Sequence, residues 1–306
     1  MKDFIYDSDV RIFYGAGQLE NVVQEIKKLG DKLLIVPTGS FLASKHYAKL
    51  EQALTNAGLE ITCMNTVKQL FLSKVNEGIK LCTENKVNVV LGIGGGVSMD
   101  LAKVIAFGVL NTDVLMEKFL TYEVSIEGLS MLPVVTISTN PMSGSETNAD
   151  VQITLDESCL QVGCGVGKAV FTWLNPNYIT SLPAHILAHG QMTTFVQLSI
   201  NYLNLARSPF TEHYAEVSMT NILECLRRSL ADKNGTDALG TLLLNSTLSL
   251  SGINDLGREG AEKAISKILH CIHLRRAGNR PIGECKACGD HRFFRANALP
   301  HNVAYD

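Results

Sequence analysis

The sequence has no uninterrupted apolar run of about 18 residues, the length a helix needs to cross a bilayer. Its opening stretch, "MKDFIYDSDVRIFYG", carries no apolar core of the kind found in a secretory leader. A cytoplasmic protein is expected. An excess of charge is missing too: 27 basic residues stand against 30 acidic ones, giving a net charge of -3 and a pI near 6.2. That balance excludes the broad electrostatic footprint of a nucleic-acid or anionic-membrane binder, so neither partner is expected and small molecules are. Low-complexity tracts and internal repeats are absent. With 46% hydrophobic residues among 306, the chain is globular material, long enough for two domains. The eight cysteines are scattered, which without an export signal reads as thiols rather than a disulfide framework. The close pair Cys285 and Cys288 is the exception.

What is present has a clear order. Short β-rich runs, "KLLIV", "ITCMNTV" and "VNVVLGI", alternate with amphipathic stretches at 42–57, 72–85 and 97–109. A parallel sheet with crossover helices requires this alternation. The later runs "LPVVTIS", "VQITL" and "KAVFTWL" are expected to extend or edge the same sheet. "LNPNYITSLP" has the prolines and asparagines of a boundary loop. Residues 1–178 are therefore assigned to an α/β domain and 179–306 to a helical one. Beyond Pro183 the β signal stops, and helical spacing runs through 184–205, 211–231, 236–254 and 261–274.

Gly94, Gly95 and Gly96 lie between a buried strand and a helix whose apolar positions include Val97, Leu101, Val104 and Ile105. The N-H groups of a helix start carry partial positive charge and can cradle a pyrophosphate where no side chain blocks approach. A tight turn without a ligand would use the same glycines. A second polar loop, "TNPMSGSETNA" at 139–149, follows the strand "LPVVTIS". Its hydroxyls, Thr139, Ser143, Ser145 and Thr147, suit ribose and a nicotinamide carboxamide, or else serve as turn and cap residues.

The motifs "RIFYGAG", "GGGVSMDLAK", "SGSETNA", "LNPNYITSLP" and "SGINDLGREG", in that order over about residues 5–260, resemble the iron-containing alcohol dehydrogenase family, in particular its butanol dehydrogenase and NADPH-dependent aldehyde reductase branch. The resemblance implies a dehydroquinate-synthase-like fold: an N-terminal Rossmann-like dinucleotide-binding domain and an all-helical C-terminal domain, with the active site between them. It implies cofactor contacts from Gly95, Gly96, Ser98, Asp100, Thr139 and Ser143. The family usually has Ser where Val97 stands, a departure that removes one hydrogen bond to phosphate. After "LLIV", NAD-preferring relatives carry an Asp that would repel a 2'-phosphate. Thr38, Gly39 and Ser40 stand there instead, so NADP is accommodated as well as NAD. The function implied is hydride transfer between nicotinamide and an alcohol or aldehyde. A homodimer is compatible with the sequence, which does not fix oligomeric state.

Members of that family hold a divalent metal with an Asp and a His four residues apart on the first helix of the second domain, plus two later His. Aligned on "SLP" and "NYL", the first two positions are Thr193 and Gln197. A hydroxyl and a carboxamide do not replace a carboxylate and an imidazole as iron or zinc ligands. Past "GREG" the family's tryptophan and His-rich helix give way to "AEKAISKILHCIHLRRAG", and the chain ends short of the usual length. No iron or zinc is expected at the family site. His185, His189, Thr193 and Gln197 repeat at spacing four, which places His189 as a general acid in the metal's stead or as a plain surface residue. A catalytically inactive nucleotide-binding homologue, acting as a partner or regulatory subunit, is the alternative function.

The tail, 261–306, has a different character. Cys285, Cys288 and His291 at spacing three, with Cys271 and His273 upstream, are compatible with a separate tetrahedral zinc site. A redox thiol pair and uncommitted thiols are the other readings.

Overall fold

The structure, a computed structural model, describes residues 9–65, 69–112, 129–156, 161–203, 208–232 and 235–252. Six strands, β1 (Arg11–Tyr14), β2 (Lys32–Pro37), β3 (Glu60–Cys63), β4 (Val89–Gly94), β5 (Val134–Ser138) and β8 (Phe171–Leu174), form one sheet in the order β1-β8-β5-β4-β2-β3. Every pairing in it is parallel. Parallel strands need crossovers, and crossovers cover both faces. For that reason the central strands are apolar almost without interruption: β4 and β5 are buried at every position.

Alternate residues of each strand go to opposite faces. Leu33, Ile35 and Leu91 pack under α1 (Leu19–Leu29) and α3 (Lys45–Asn56), against Val22, Ile26, Leu50 and Leu54. Leu34, Val36 and Val90 pack under α4 (Leu72–Asn85) and α5 (Gly96–Leu110), against Val75, Leu101, Val104 and Ile105. The short α2 (Gly39–Leu42) opens directly after β2.

The "VQITL" run departs from expectation. It forms β6 (Asp150–Thr154), which pairs antiparallel with β7 (Gln161–Gly165) in a separate two-stranded hairpin rather than joining the main sheet. Its burial explains why. Val151 and Ile153 enter the α5-side core while Asp150 and Gln152 stay exposed, the alternation of a strand buried on one face only. "RIFY" becomes β1 and pairs with β8 at the sheet edge.

Among the described residues, every element beyond β8 is helical: α6 (Ala184–Tyr202), α7 (Pro209–Ala231) and α8 (Thr236–Ser249) after a 3-10 turn at Pro176–Tyr178. The helices α6 and α8 end a few residues before the apolar spacing does, and 261–274 lies outside the described residues. Leu187, Leu239, Leu242 and Leu243 pack with Leu174 and Ile179, which seats the helices against the β8 edge of the sheet. A reciprocal capping box, Ser208 with Thr211, and Pro209 at the first position start α7. No helix among the described residues is long and apolar enough to cross a membrane.

Candidate active site

The chain passes from β4 to α5 through its three consecutive glycines. At Gly94, where φ is +157°, an added Cβ would collide with the Thr38 methyl group and lie 2.7 Å from Ser98 Oγ. Glycine there follows from the close approach of the β2 and β4 ends. Gly95 is a different case. It is in extended conformation, φ -89° and ψ -166°, and an added Cβ would meet nothing nearer than Asn140 Cβ at 3.5 Å. Packing does not require glycine at 95. The α5 start has no side-chain cap, which leaves its first N-H groups without a side-chain acceptor.

The loop after β5 lies against the glycines. Thr139 N-H donates to Gly94 O at 2.9 Å, and Ser143 Cβ stands 2.9 Å from the place a Gly96 Cβ would take. Beneath them is a buried charged cluster. Asp100 Oδ1 accepts from Ser145 Oγ at 2.6 Å and Oδ2 from Gln152 N-H at 3.1 Å. Lys103, with no solvent exposure, donates to Asn148 O at 2.9 Å and Asp150 O at 3.2 Å and lies 3.9 Å from Asp100 Oδ1. Glu146 is buried beside them and bonds to Ser138. Burial pushes the Asp100 and Glu146 carboxyls above the usual carboxylate range, against the pull of Lys103, and pushes the Lys103 ammonium down.

The helical side grips the same loop. Pro141 O accepts from Gln191 Nε2 at 2.7 Å and from Ser246 Oγ at 3.0 Å, and Ser246 Oγ lies 2.9 Å from Thr194 Oγ1. Between the two sides is a cavity of about 550 Å3. Gly96, Asp100, Ser143 and Ser145 line it from the α/β side, Gln152 and Gln161 from the hairpin, and Gln197, Asn201 and the end of α8 from the helices.

The expected site residues divide into three groups. Gly96, Asp100 and Ser143 line the cavity. Thr38, Gly94, Gly95 and Thr139 gather behind it where β2, β4 and β5 end, while Gly39 and Ser40 begin α2 on the surface. Ser98, expected as a cofactor contact, is 1% exposed and sits beneath Gly94, because α5 turns it under the loop. Asp100, expected in the same role, has both oxygens engaged by the protein. On α6 the cavity-lining residues are Gln197 and Asn201, whereas His185 and His189 are exposed and line no part of the cavity. Residues four apart on a helix drift by about 40° per step. The row that begins at His189 therefore reaches this cavity only at Gln197. Cys285, Cys288 and His291 lie outside the described residues. Sequence reasoning did not find Lys103, Glu146, Gln152 and Asn201; only the buried Asp-x-x-Lys spacing in "SMDLAK" offered a signal.

The dinucleotide implied by the resemblance fits this donor set: an uncapped 15-residue helix whose first residues, Gly96 and Val97, line the cavity, and two buried oxygens, Thr38 Oγ1 and Asn140 Oδ1, that have no hydrogen-bond partner. The two positions that the resemblance marks for a divalent metal carry no carboxylate or imidazole. Thr193 Oγ1 donates to His189 O at 2.9 Å, Gln197 offers a neutral amide, and among the described residues no group of three or more His, Cys, Asp or Glu could hold an ion.

Comparison with known proteins agrees with this architecture. Residues 9–171 match the family model for iron-containing alcohol dehydrogenase. The chain is 25% identical over 281 residues to a probable NADH-dependent butanol dehydrogenase of Bacillus subtilis, covering 89% of this chain and 70% of that one. It is 24% identical to an NADPH-dependent aldehyde reductase of Escherichia coli, covering 84% and 67%. The solved structure of a butanol dehydrogenase from Thermotoga maritima superposes with a TM-score of 0.79 at 24% identity, over 85% of this chain and 66% of that one, which shows the fold. The chain thus spans about two thirds of the length of the relatives it matches. With more than half of its residues inside the family model, and with the glycine and serine loops placed as described, the chain belongs to the iron-containing alcohol dehydrogenase family.

Proposed function

We propose that this chain is an NAD(P)-dependent oxidoreductase that interconverts an alcohol and an aldehyde without a metal at the family's usual place. The observation that carries the reading is the cavity at the uncapped start of α5, lined by Gly96, Ser143 and Ser145, with Gly95 beside it where a Cβ would meet only Asn140. The α/β domain assigned to residues 1–178 holds the dinucleotide, with α6 and the end of α8 on the other side of the cavity. When bound, the dinucleotide supplies or accepts the hydride. Gly94–Gly96 admit its pyrophosphate to the helix start, Thr139 and Ser143 orient the nicotinamide end, and the helical wall at Gln197 and Asn201 shields the reacting carbon from water. Relatives named as NADH-dependent and as NADPH-dependent both match. Here Thr38, Gly39 and Ser40 present no carboxylate after β2, which favours acceptance of a 2'-phosphate.

The test is a fluorescence titration of NADPH and NADH into the protein, followed by turnover of short aldehydes with each. Saturable binding and turnover support the reading; absence of binding removes it. The replacement of the two ligand positions by Thr193 and Gln197 also favours a second reading, a nucleotide-binding homologue that lacks turnover and serves as a partner subunit. Saturable binding with no turnover of any aldehyde or alcohol would select it.

A further inference from the structure

If neither a metal nor His189 meets the substrate, some other group must exchange a proton with its oxygen. We propose that Ser145 and Asp100 are that acid-base pair, with Ser145 Oγ meeting the substrate oxygen and Asp100 Oδ1 holding the proton. This inference rests on the oxidoreductase reading.

Among the described residues, the titratable groups that line the cavity are Asp100, Asp150 and Lys168. Lys168 is paired with Asp9 at 3.1 Å, and Asp150 is exposed. Asp100 differs from both. Its side chain is 15% exposed, it lies one helical turn from Gly96, and it accepts the short 2.6 Å hydrogen bond from Ser145, which lines the cavity as well. A hydroxyl that donates to a carboxylate keeps two lone pairs, and these let it take a proton from an alcohol while passing its own to the carboxylate. Burial holds the Asp100 carboxyl above the ordinary range, closer to working pH than a surface aspartate. The groups that face Asp100 are Lys103 on its own helix, Glu146 and Ser145 on the loop, and Gln152 and Asp150 on β6.

The balance is complete. In oxidation the substrate O-H bond breaks, its proton going to Ser145 Oγ as the Ser145 proton moves to Asp100. The carbinol C-H bond breaks with its electron pair, which reaches the oxidised nicotinamide as hydride, and the carbonyl forms. The alcohol loses two electrons, the nicotinamide gains them, and one proton remains on Asp100 for release. Reduction runs the same path backwards.

The experiment compares the full chain with Asp100→Asn, Ser145→Ala and Ser145→Thr. The expected result is a fall in kcat of about 100-fold or more in the first two, the size of effect general acid-base catalysis supplies. NADPH affinity should stay within about threefold of the parent, and Ser145→Thr should restore most of the rate because it restores the hydroxyl. A readout free of turnover is the infrared carboxyl band of the cofactor-free protein. One acid should titrate above the ordinary range, vanish in Asp100→Asn and shift in Ser145→Ala. Parent-like kcat and pH profile in both Asp100→Asn and Ser145→Ala would overturn the pair, and so would an affinity loss that matches the rate loss. If Asp100→Asn does not fold, the two Ser145 variants decide alone. A parent chain that binds no dinucleotide or turns nothing over overturns the pair and the underlying reading together, which separates that failure from the first.

Discussion

At the scale of single residues, Gly95 and the Asp100 cluster make opposite demands on the chain. Valine at 95 finds dihedral angles it accepts and only an ordinary contact with Asn140. Gly95→Val should therefore leave the melting temperature nearly unchanged and weaken NADPH binding at least about tenfold, because its branched side chain would stand over the uncapped helix start. Unchanged affinity by fluorescence titration would contradict this. Lys103 is the reverse case, a residue whose removal is felt by the fold. Lys103→Met leaves a buried carboxylate without its cation, a change that costs about 3–5 kcal/mol. In urea unfolding the Asp100→Asn, Lys103→Met double variant should lose less than the sum of its parts. Glu146 adds a pH dependence. Its folded pKa is raised above the ordinary value of about 4.5, so above that pH the unfolded chain releases a proton that the folded chain keeps, and stability falls as pH rises toward the folded pKa. Glu146→Gln should flatten that slope in denaturation curves taken from pH 4 to 8; an unaltered slope would refute the assignment. The glycines were legible in the sequence because their role is local. Lys103 and Glu146 were not, since a charged residue on a helix or loop reads as solvent-facing until the elements that bury it are in place.

At the scale of elements, legibility followed periodicity. The central strands and the crossover helices α3 and α4 declared themselves because a strand buried on both faces is continuously apolar and these helices bury one side only, whereas α5 is buried along most of its length. The run at 150–154 was ambiguous for the opposite reason: five residues of alternating burial suit an edge strand or a hairpin equally, and no sequence pattern ties it to its partner β7. Pairing the two strands apart from the main sheet places Gln152 N-H on Asp100 and turns a presumed edge of the sheet into one wall of the cavity. The helical side was legible as helices, but which face of α6 meets the cavity was not. Four-residue spacing tracks a helix face only approximately, and the row from His189 reaches the cavity only at Gln197. The α7 start offers a test confined to one element. Ser208 Oγ accepts from Thr211 N-H at 3.2 Å and Thr211 Oγ1 accepts from Ser208 N-H at 3.0 Å. Ser208→Ala should cost about 1 kcal/mol of stability and leave NADPH affinity untouched, since the cap lies away from the glycine loop.

At the scale of the whole molecule the question is where a metal would go in a member of a family named for one. The described cavity holds carboxamides, hydroxyls and two aspartates, and the positions on α6 that the family resemblance marks for ligands are Thr193 and Gln197. Ordinary ligand chemistry survives in the tail, where Cys285, Cys288 and His291 keep the spacing of a zinc knuckle outside the described residues. The two locations make different predictions for the same full-length chain. Zinc on thiolates is bound in competition with protons, so its content should fall as pH drops and its uptake should release protons. Replacing Cys285 and Cys288 with Ser should abolish that zinc and, if the tail's order depends on it, raise protease sensitivity beyond residue 260. NADPH affinity should stay at the parent value, because the hydrogen bonds of Thr139, Pro141, Gln191 and Ser246 hold the glycine loop and the serine loop. Metal analysis of purified parent and double-Ser protein, loaded with zinc or iron and dialysed, decides the matter. About one ion in the parent and none in the variant places the metal in the tail, whereas one ion retained in the double-Ser variant and lost on Gln197→Ala would return a metal to the cavity and remove the need for Asp100 and Ser145 to handle the proton.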